Sequence, residues 1–200
     1  MEKIDAKKTA LLIIDMEKAF VEPGAALCIS GAKATVPYCE NAARVARKAG
    51  CTVYFVKRIY TDDYSDMEPL RREKLIKAGR FSVLSKNSTG LDSIEEPEGL
   101  NIEEGDKVLI KPRYSAFFAT NLNEELRAAG IENVLIAGTT TPNCIRSTCY
   151  DAMSYDYNTV ILEKCCSSNS DEIQQANMFD MANAGAVIFE GENIEEIFND

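Results

Sequence analysis

The chain has no histidine among its 200 residues. That absence excludes Cys-His dyads, Ser-His-Asp triads and zinc sites of the mixed histidine type. Any base serving a nucleophile must be Lys, Asp, Glu or Tyr. Basic charge is scarce too: 22 Lys and Arg face 32 Asp and Glu, a net charge of −10. A balance of that sign gives no nucleic-acid footprint and no general attraction to anionic membranes. No stretch approaches the roughly 18 uninterrupted apolar residues of a spanning helix. Residues 1–8 lead straight into an apolar run and lack the three-part layout of a signal peptide, so a cytoplasmic location is expected. No Gly-x-Gly-x-x-Gly follows a strand pattern, which sets aside a dinucleotide-binding reading. The cysteines number seven and are scattered, which in such a chain predicts free thiols, not a disulfide framework. The vicinal pair Cys165-Cys166 is not a metal-ligand spacing.

What is present reads as alternating strands and helices. With 46% hydrophobic and 27% charged residues, the chain suits one domain over 1–200 with a sizeable core. Residues 9–14, Thr-Ala-Leu-Leu-Ile-Ile, form a continuous apolar run, as in a strand buried on both faces of a parallel sheet. Apolar runs at 51–56, 107–110, 134–137, 159–162 and 186–189 predict five more strands. Helical spacing over 33–49 closes at Gly50, and a second helix opening at Thr120 or Asn121 closes at Gly130. Further helices are expected over 142–155 and 171–184, with a short one in the tail at 192–199. Residues 16–30 read as a loop. Residues 61–106 read as a long irregular connection holding a short charged helix over 67–78, the kind of segment that often covers a site. The expected fold is an α/β three-layer open sheet, αβα, of six mostly parallel strands.

Three strand ends carry chemistry. The first strand ends at Asp15, the third at Lys111, and the fourth in Gly138-Thr-Thr-Thr-Pro-Asn-Cys144. In a parallel sheet all three project at the carboxyl edge, where open α/β sheets bind ligands. Cys144 lies at the expected first turn of a helix, where unpaired N–H groups and the dipole favour a thiolate. Cys144 is the candidate nucleophile. Asp15 is positioned to accept its proton and return it to a leaving amine, and Lys111 to hold both charged groups and favour the thiolate.

These motifs resemble those of the isochorismatase-like cysteine hydrolases, which include nicotinamidases, N-carbamoylsarcosine amidohydrolase and ureido amidohydrolases. The resemblance spans essentially the whole chain. It rests on Ala10-Leu-Leu-Ile-Ile-Asp15-Met16 with Phe20, on Lys111-Pro-Arg-Tyr-Ser-Ala-Phe117, and on Gly138-Thr-Thr-Thr-Pro-Asn-Cys144-Ile145 with the following 147–152. It implies strand order 3-2-1-4-5-6, a Cys144-Asp15-Lys111 triad, and a non-proline cis peptide between Thr139 and Thr140. It also implies an oxyanion hole formed by the amides of Thr140 and Cys144, no cofactor, and assembly into dimers or tetramers. Zinc-dependent nicotinamidases carry an Asp-x-His element after the second strand, where this chain has Thr61-Asp62-Asp63-Tyr64, so no metal is expected. True isochorismatases lack the cysteine, so Cys144 argues against vinyl-ether hydrolysis. Many members place Gln-Asn-Asp where this chain has Glu17-Lys18-Ala19.

The expected activity is hydrolysis of a C–N bond in a small amide or ureido substrate through a covalent intermediate on Cys144. Arg58, Arg113, Lys57 and Lys18 are the candidate grips for a substrate carboxylate, Arg113 first. Phe20, Tyr60 and Tyr114 are candidate pocket walls, with ordinary packing as the alternative. A non-catalytic member of the same fold, binding a metabolite or a protein, is the rival reading.

Overall fold

The computed structural model describes residues 2–79 and 83–199. Six strands form one parallel sheet: β1 (Thr9–Ile14), β2 (Thr52–Lys57), β3 (Lys107–Ile110), β4 (Asn133–Thr139), β5 (Asn158–Ser167) and β6 (Val187–Phe189). Their order is β3-β2-β1-β4-β5-β6, so the direction of winding reverses between β1 and β4. Such a switch point leaves a crevice at the carboxyl ends of the two central strands.

The apolar run of β1 is explained by its two faces. Ala10, Leu12 and Ile14 pack into one core with α4 (Leu122–Ala128), α5 (Arg146–Ser154) and α6 (Asp171–Ala184). Leu11 and Ile13 pack into the other with α2 (Ala32–Ala49) and the 3₁₀ turn Ile194–Ile197. Period-two alternation thus demands apolar side chains at every position. It also separates the vicinal thiols: Cys165 faces the α2 core and Cys166 the opposite one.

Three local expectations are corrected. Residues 16–30 are not all loop, because the short helix α1 (Lys18–Val21) buries Ala19, Phe20 and Val21. β5 runs on through Ser167, past 162, and pairs with β4 across a register shift between Ile136 and Gly138. The expected helix over 142–155 begins instead as a π turn, Thr141–Ile145, before α5 starts at Arg146. Such wide turns occur frequently at functional sites. The long connection carries α3 (Pro69–Lys77), and a third apolar cluster with Phe20, Tyr60, Tyr64, Met67, Leu75, Val83 and Leu84 packs beneath it.

Candidate active site

The register of the sheet brings the reactive side chains to one edge. Ile14 pairs with Val56 of β2 and Gly138 of β4, and Lys57 pairs with Ile110 of β3. Asp15, Arg58 and Lys111 therefore leave their strands side by side. Asp15 adopts a left-handed backbone, φ 51°, a region that Asp tolerates better than most residues. Its N–H donates to the Val56 carbonyl at 2.8 Å.

Lys111 ties the cluster together. Its Nζ donates to Asp15 Oδ2 at 2.8 Å, to the Arg113 carbonyl at 3.1 Å and to Cys144 Sγ at 3.5 Å. All three ammonium donors are thereby used. Exposure is 0% for Lys111, 1% for Asp15 and 4% for Cys144, so these charges interact with little solvent screening.

Cys144 differs from expectation in its ionisation. Burial, and then the charge of Asp15, push its thiol up to about 12, while Lys111 and Arg58 pull the other way. Burial and the carboxylate outweigh the favourable turn, so the resting sulfur is protonated. A thiolate here would need a proton acceptor, and Asp15 Oδ1 has no hydrogen-bond partner among the described residues.

Thr139 and Thr140 close the other side. The peptide between them is cis. Thr139 Oγ1 lies 3.1 Å from Ser167 Oγ, and the Thr140 and Thr141 hydroxyls both donate to the Ser167 carbonyl, at 3.3 and 3.0 Å.

The candidate grips separate clearly. Arg58 is completely buried, with its guanidinium 4.9 Å over the Tyr114 ring and 5.5 Å from the Tyr60 ring centre. Its Nε donates to the Tyr60 hydroxyl and its Nη2 to the Glu68 carboxylate, while Nη1 has no acceptor among the described residues. Burial opposes its charge, but Tyr60, Asp15, Cys144 and Glu68 together raise its pKa. Arg113 is held elsewhere: Nη1 donates to the main-chain carbonyls of Asp66 and Pro112, each at 2.8 Å. Lys57 pairs with Glu96, and Lys18 with Glu95 at 2.6 Å. Arg58, not Arg113, is the guanidinium whose charge acts on Cys144. Phe20 is buried in the third apolar cluster and Tyr114 is 44% exposed.

Two carboxylates here were not anticipated as site residues. Glu17 is 1% exposed; its Oε1 accepts the Arg58 N–H at 2.6 Å and its Oε2 has no partner among the described residues. Burial and the neighbouring Asp15 raise it to about 8. The signal available was its position two residues after Asp15. Glu68, on Arg58, had none beyond standing before the proline that opens α3. Among the described residues no group of His, Cys, Asp or Glu is arranged to hold a metal ion, and no helix is long and apolar enough to cross a membrane.

The isochorismatase-domain family model matches residues 9–193. The chain belongs to the isochorismatase family. Within that family it is 37% identical over 181 residues to a probable inactive nicotinamidase of Arabidopsis thaliana, covering 90% of each chain. It is 31% identical over 185 residues to the ureidoacrylate amidohydrolase of Pantoea ananatis, covering 84% of this chain and 73% of that one. An isochorismatase family protein from Desulfovibrio vulgaris superposes with a TM-score of 0.85 at 35% identity, covering 90% of this chain and 93% of that one. The family thus includes amidohydrolases alongside a member described as probably inactive, and its expected strand order is the order observed here.

Proposed function

We propose that this protein is a cysteine amidohydrolase, cleaving a C–N bond of a small amide or ureido compound that carries a carboxylate. The observation that carries this is the Lys111 ammonium, 2.8 Å from Asp15 and 3.5 Å from Cys144 in a buried cluster at the sheet's switch point. Asp15 takes the Cys144 proton as the sulfur attacks the substrate carbonyl. The developing oxyanion is met by the N–H groups of Thr140 and Cys144. Protonated Asp15 then donates to the leaving nitrogen as the C–N bond breaks, and ammonia or an amine departs. Water, deprotonated by Asp15, cleaves the thioester and restores the thiol. Lys111 keeps Asp15 oriented and offsets the negative charge on sulfur, and Arg58 receives the substrate carboxylate. The steps use no cofactor.

A second reading has an observation behind it. Cys144 is 4% exposed with its thiol held protonated, and the Arabidopsis relative is described as probably inactive. In that reading the same cluster binds a small metabolite without turnover. Ammonia release from carbamoyl amino acids, ureido acids, biuret, maleamate and nicotinamide separates the two. Hydrolysis that Cys144→Ala abolishes supports the enzyme; none across the whole panel supports the binder.

Assembly into a dimer or tetramer is part of the proposal. It is supported by the edge strand β3, which exposes Val108 and Ile110 at 52% and 51%, with Phe118 nearby in sequence at 55%. Light scattering reads the subunit count, and a monomer at all concentrations would remove it.

A further inference from the structure

Arg58 is a buried cation already supplied with an anion from its own chain. Its guanidinium lies near the Tyr60 and Tyr114 rings, its Nη2 is on Glu68, and its Nη1 has no acceptor among the described residues. Glu68 also receives the Tyr60 hydroxyl at 3.1 Å. A fully buried guanidinium that has lost its bonded carboxylate is disfavoured, so the state with no anion on Arg58 is a minor one.

Glu68 follows the buried Met67 and opens a helix that buries little. Glu68 is the residue at the start of α3, whose only buried side chain is Leu75; Leu70 is 75% exposed and Ile76 43%. Swinging the Glu68 side chain off Arg58 leaves the buried Met67 and Leu75 in place. The Arg58 segment is bonded through its backbone: the Arg58 N–H donates to Glu17, the Tyr60 N–H to the Leu84 carbonyl at 2.8 Å, and the Lys86 N–H to the Tyr60 carbonyl at 3.3 Å. Burial opposes the Glu68 charge, but Arg58 outweighs it and lowers the carboxyl pKa, so the group on Arg58 is a carboxylate.

We propose that Glu68 is an internal stand-in for the substrate's carboxylate: it occupies Arg58 in the resting protein and is exchanged one for one when an anionic substrate binds. The exchange keeps the buried charge balanced. A substrate carboxylate gains both Nη1 and Nη2 in a bidentate fork, whereas Glu68 uses one of them. A neutral amide that displaced Glu68 would leave Arg58 with no bonded carboxylate, only the charge of Asp15 acting on it without a bond. Glu68 thus sets specificity by competition, admitting acids and excluding neutral amides of the same size. This rests on Arg58 being the grip for the substrate carboxylate.

The test uses alkylation of Cys144, which needs no turnover. Rates for iodoacetate and iodoacetamide are measured on the intact protein, the modified cysteine being located by peptide mass, in wild type, Glu68→Gln and Glu68→Ala. If Glu68 is off Arg58 about one-tenth of the time, its removal raises apparent affinity for a carboxylate about tenfold. The iodoacetate rate should rise by about that factor and saturate with reagent concentration, while the iodoacetamide rate changes little. Succinate should protect Cys144 at about tenfold lower concentration in both variants. Equal acceleration of the two reagents, or an iodoacetate gain that does not saturate and that succinate does not block, would overturn the stand-in role. A selective, saturable gain in a protein that hydrolyses no amide would keep this inference and reject the hydrolase reading.

Discussion

Gly138 of β4 lies so close to Ile14 of β1 that a Cβ added to it would stand 2.1 Å from the Ile14 carbonyl oxygen. Its φ is +112°, a conformation that side chains rarely adopt. Here β4 ends and the turn to Cys144 begins, one residue from Asp15 on the neighbouring strand. The contact between the two central strands therefore sets the distance between acid and thiol.

Gly138→Ala should destabilise the fold by about 3 kcal/mol or more, through backbone clash as well as strain. Gly50 also has a positive φ, at +90°, but nothing nearer than Lys7 Cγ at 3.9 Å. Gly50→Ala should cost about 1 kcal/mol. Urea denaturation of both variants checks the ordering, and equal losses would show that φ alone, not the strand contact, governs Gly138.

Asp15 and Lys111 act on the Cys144 thiol with opposite signs. Asp15→Asn removes a charge that raises the thiol pKa and should move it down from about 12, whereas Lys111→Met should move it up. Both variants should lose about 100-fold or more in hydrolysis. Thiolate absorbance against pH, beside ammonia release, tests the pair. An Asp15→Asn enzyme with more thiolate and full activity would mean that Asp15 is not the base.

Glu17 makes stability fall as pH rises. Its folded pKa is about 8 against an ordinary value of 4.5. Between these values the folded protein holds a proton that the unfolded chain has lost, so stability decreases through the window and levels off above about 8. Glu17→Gln has no proton to lose and should flatten that slope, leaving the variant the more stable one at pH about 9. Denaturation midpoints from pH about 5 to 9 decide it; parallel profiles would place the Glu17 titration outside that window.

Thiol reactivity should follow access. Cys28 is half-buried, whereas Cys144 is buried and held protonated. Iodoacetamide at neutral pH should therefore label Cys28 before Cys144, the reverse of what a thiolate at a helix start would give. Labelling of Cys144 first would show that the site opens faster than the closed packing implies.

The alternation of apolar runs and helical spacing determined, by itself, the α/β class and the positions of six strands, because the central strands of a parallel sheet, buried on both faces, must be apolar nearly throughout. It also located Asp15, Lys111 and Cys144, since each directly follows such a run or its turn. The absence of histidine restricted any base to Lys, Asp, Glu or Tyr, and Asp15 and Lys111 are residues of that kind.

Tertiary structure alone decided the ionisation of Cys144. A position at a helix-like turn argues for a thiolate, but burial beside Asp15 is a property of strands far apart in sequence and has the opposite sign. It also decided which arginine is buried within reach of the Cys144 charge. Arg58 and Arg113 are equally basic as letters; only the register of β2 against β1 buries one beside the thiol, while main-chain carbonyls take the other. Glu17 and Glu68 were illegible for the same reason. Each matters through a partner brought to it by folding, Asp15 across a left-handed turn and Arg58 across ten residues of covering chain, and no local pattern records such a partner.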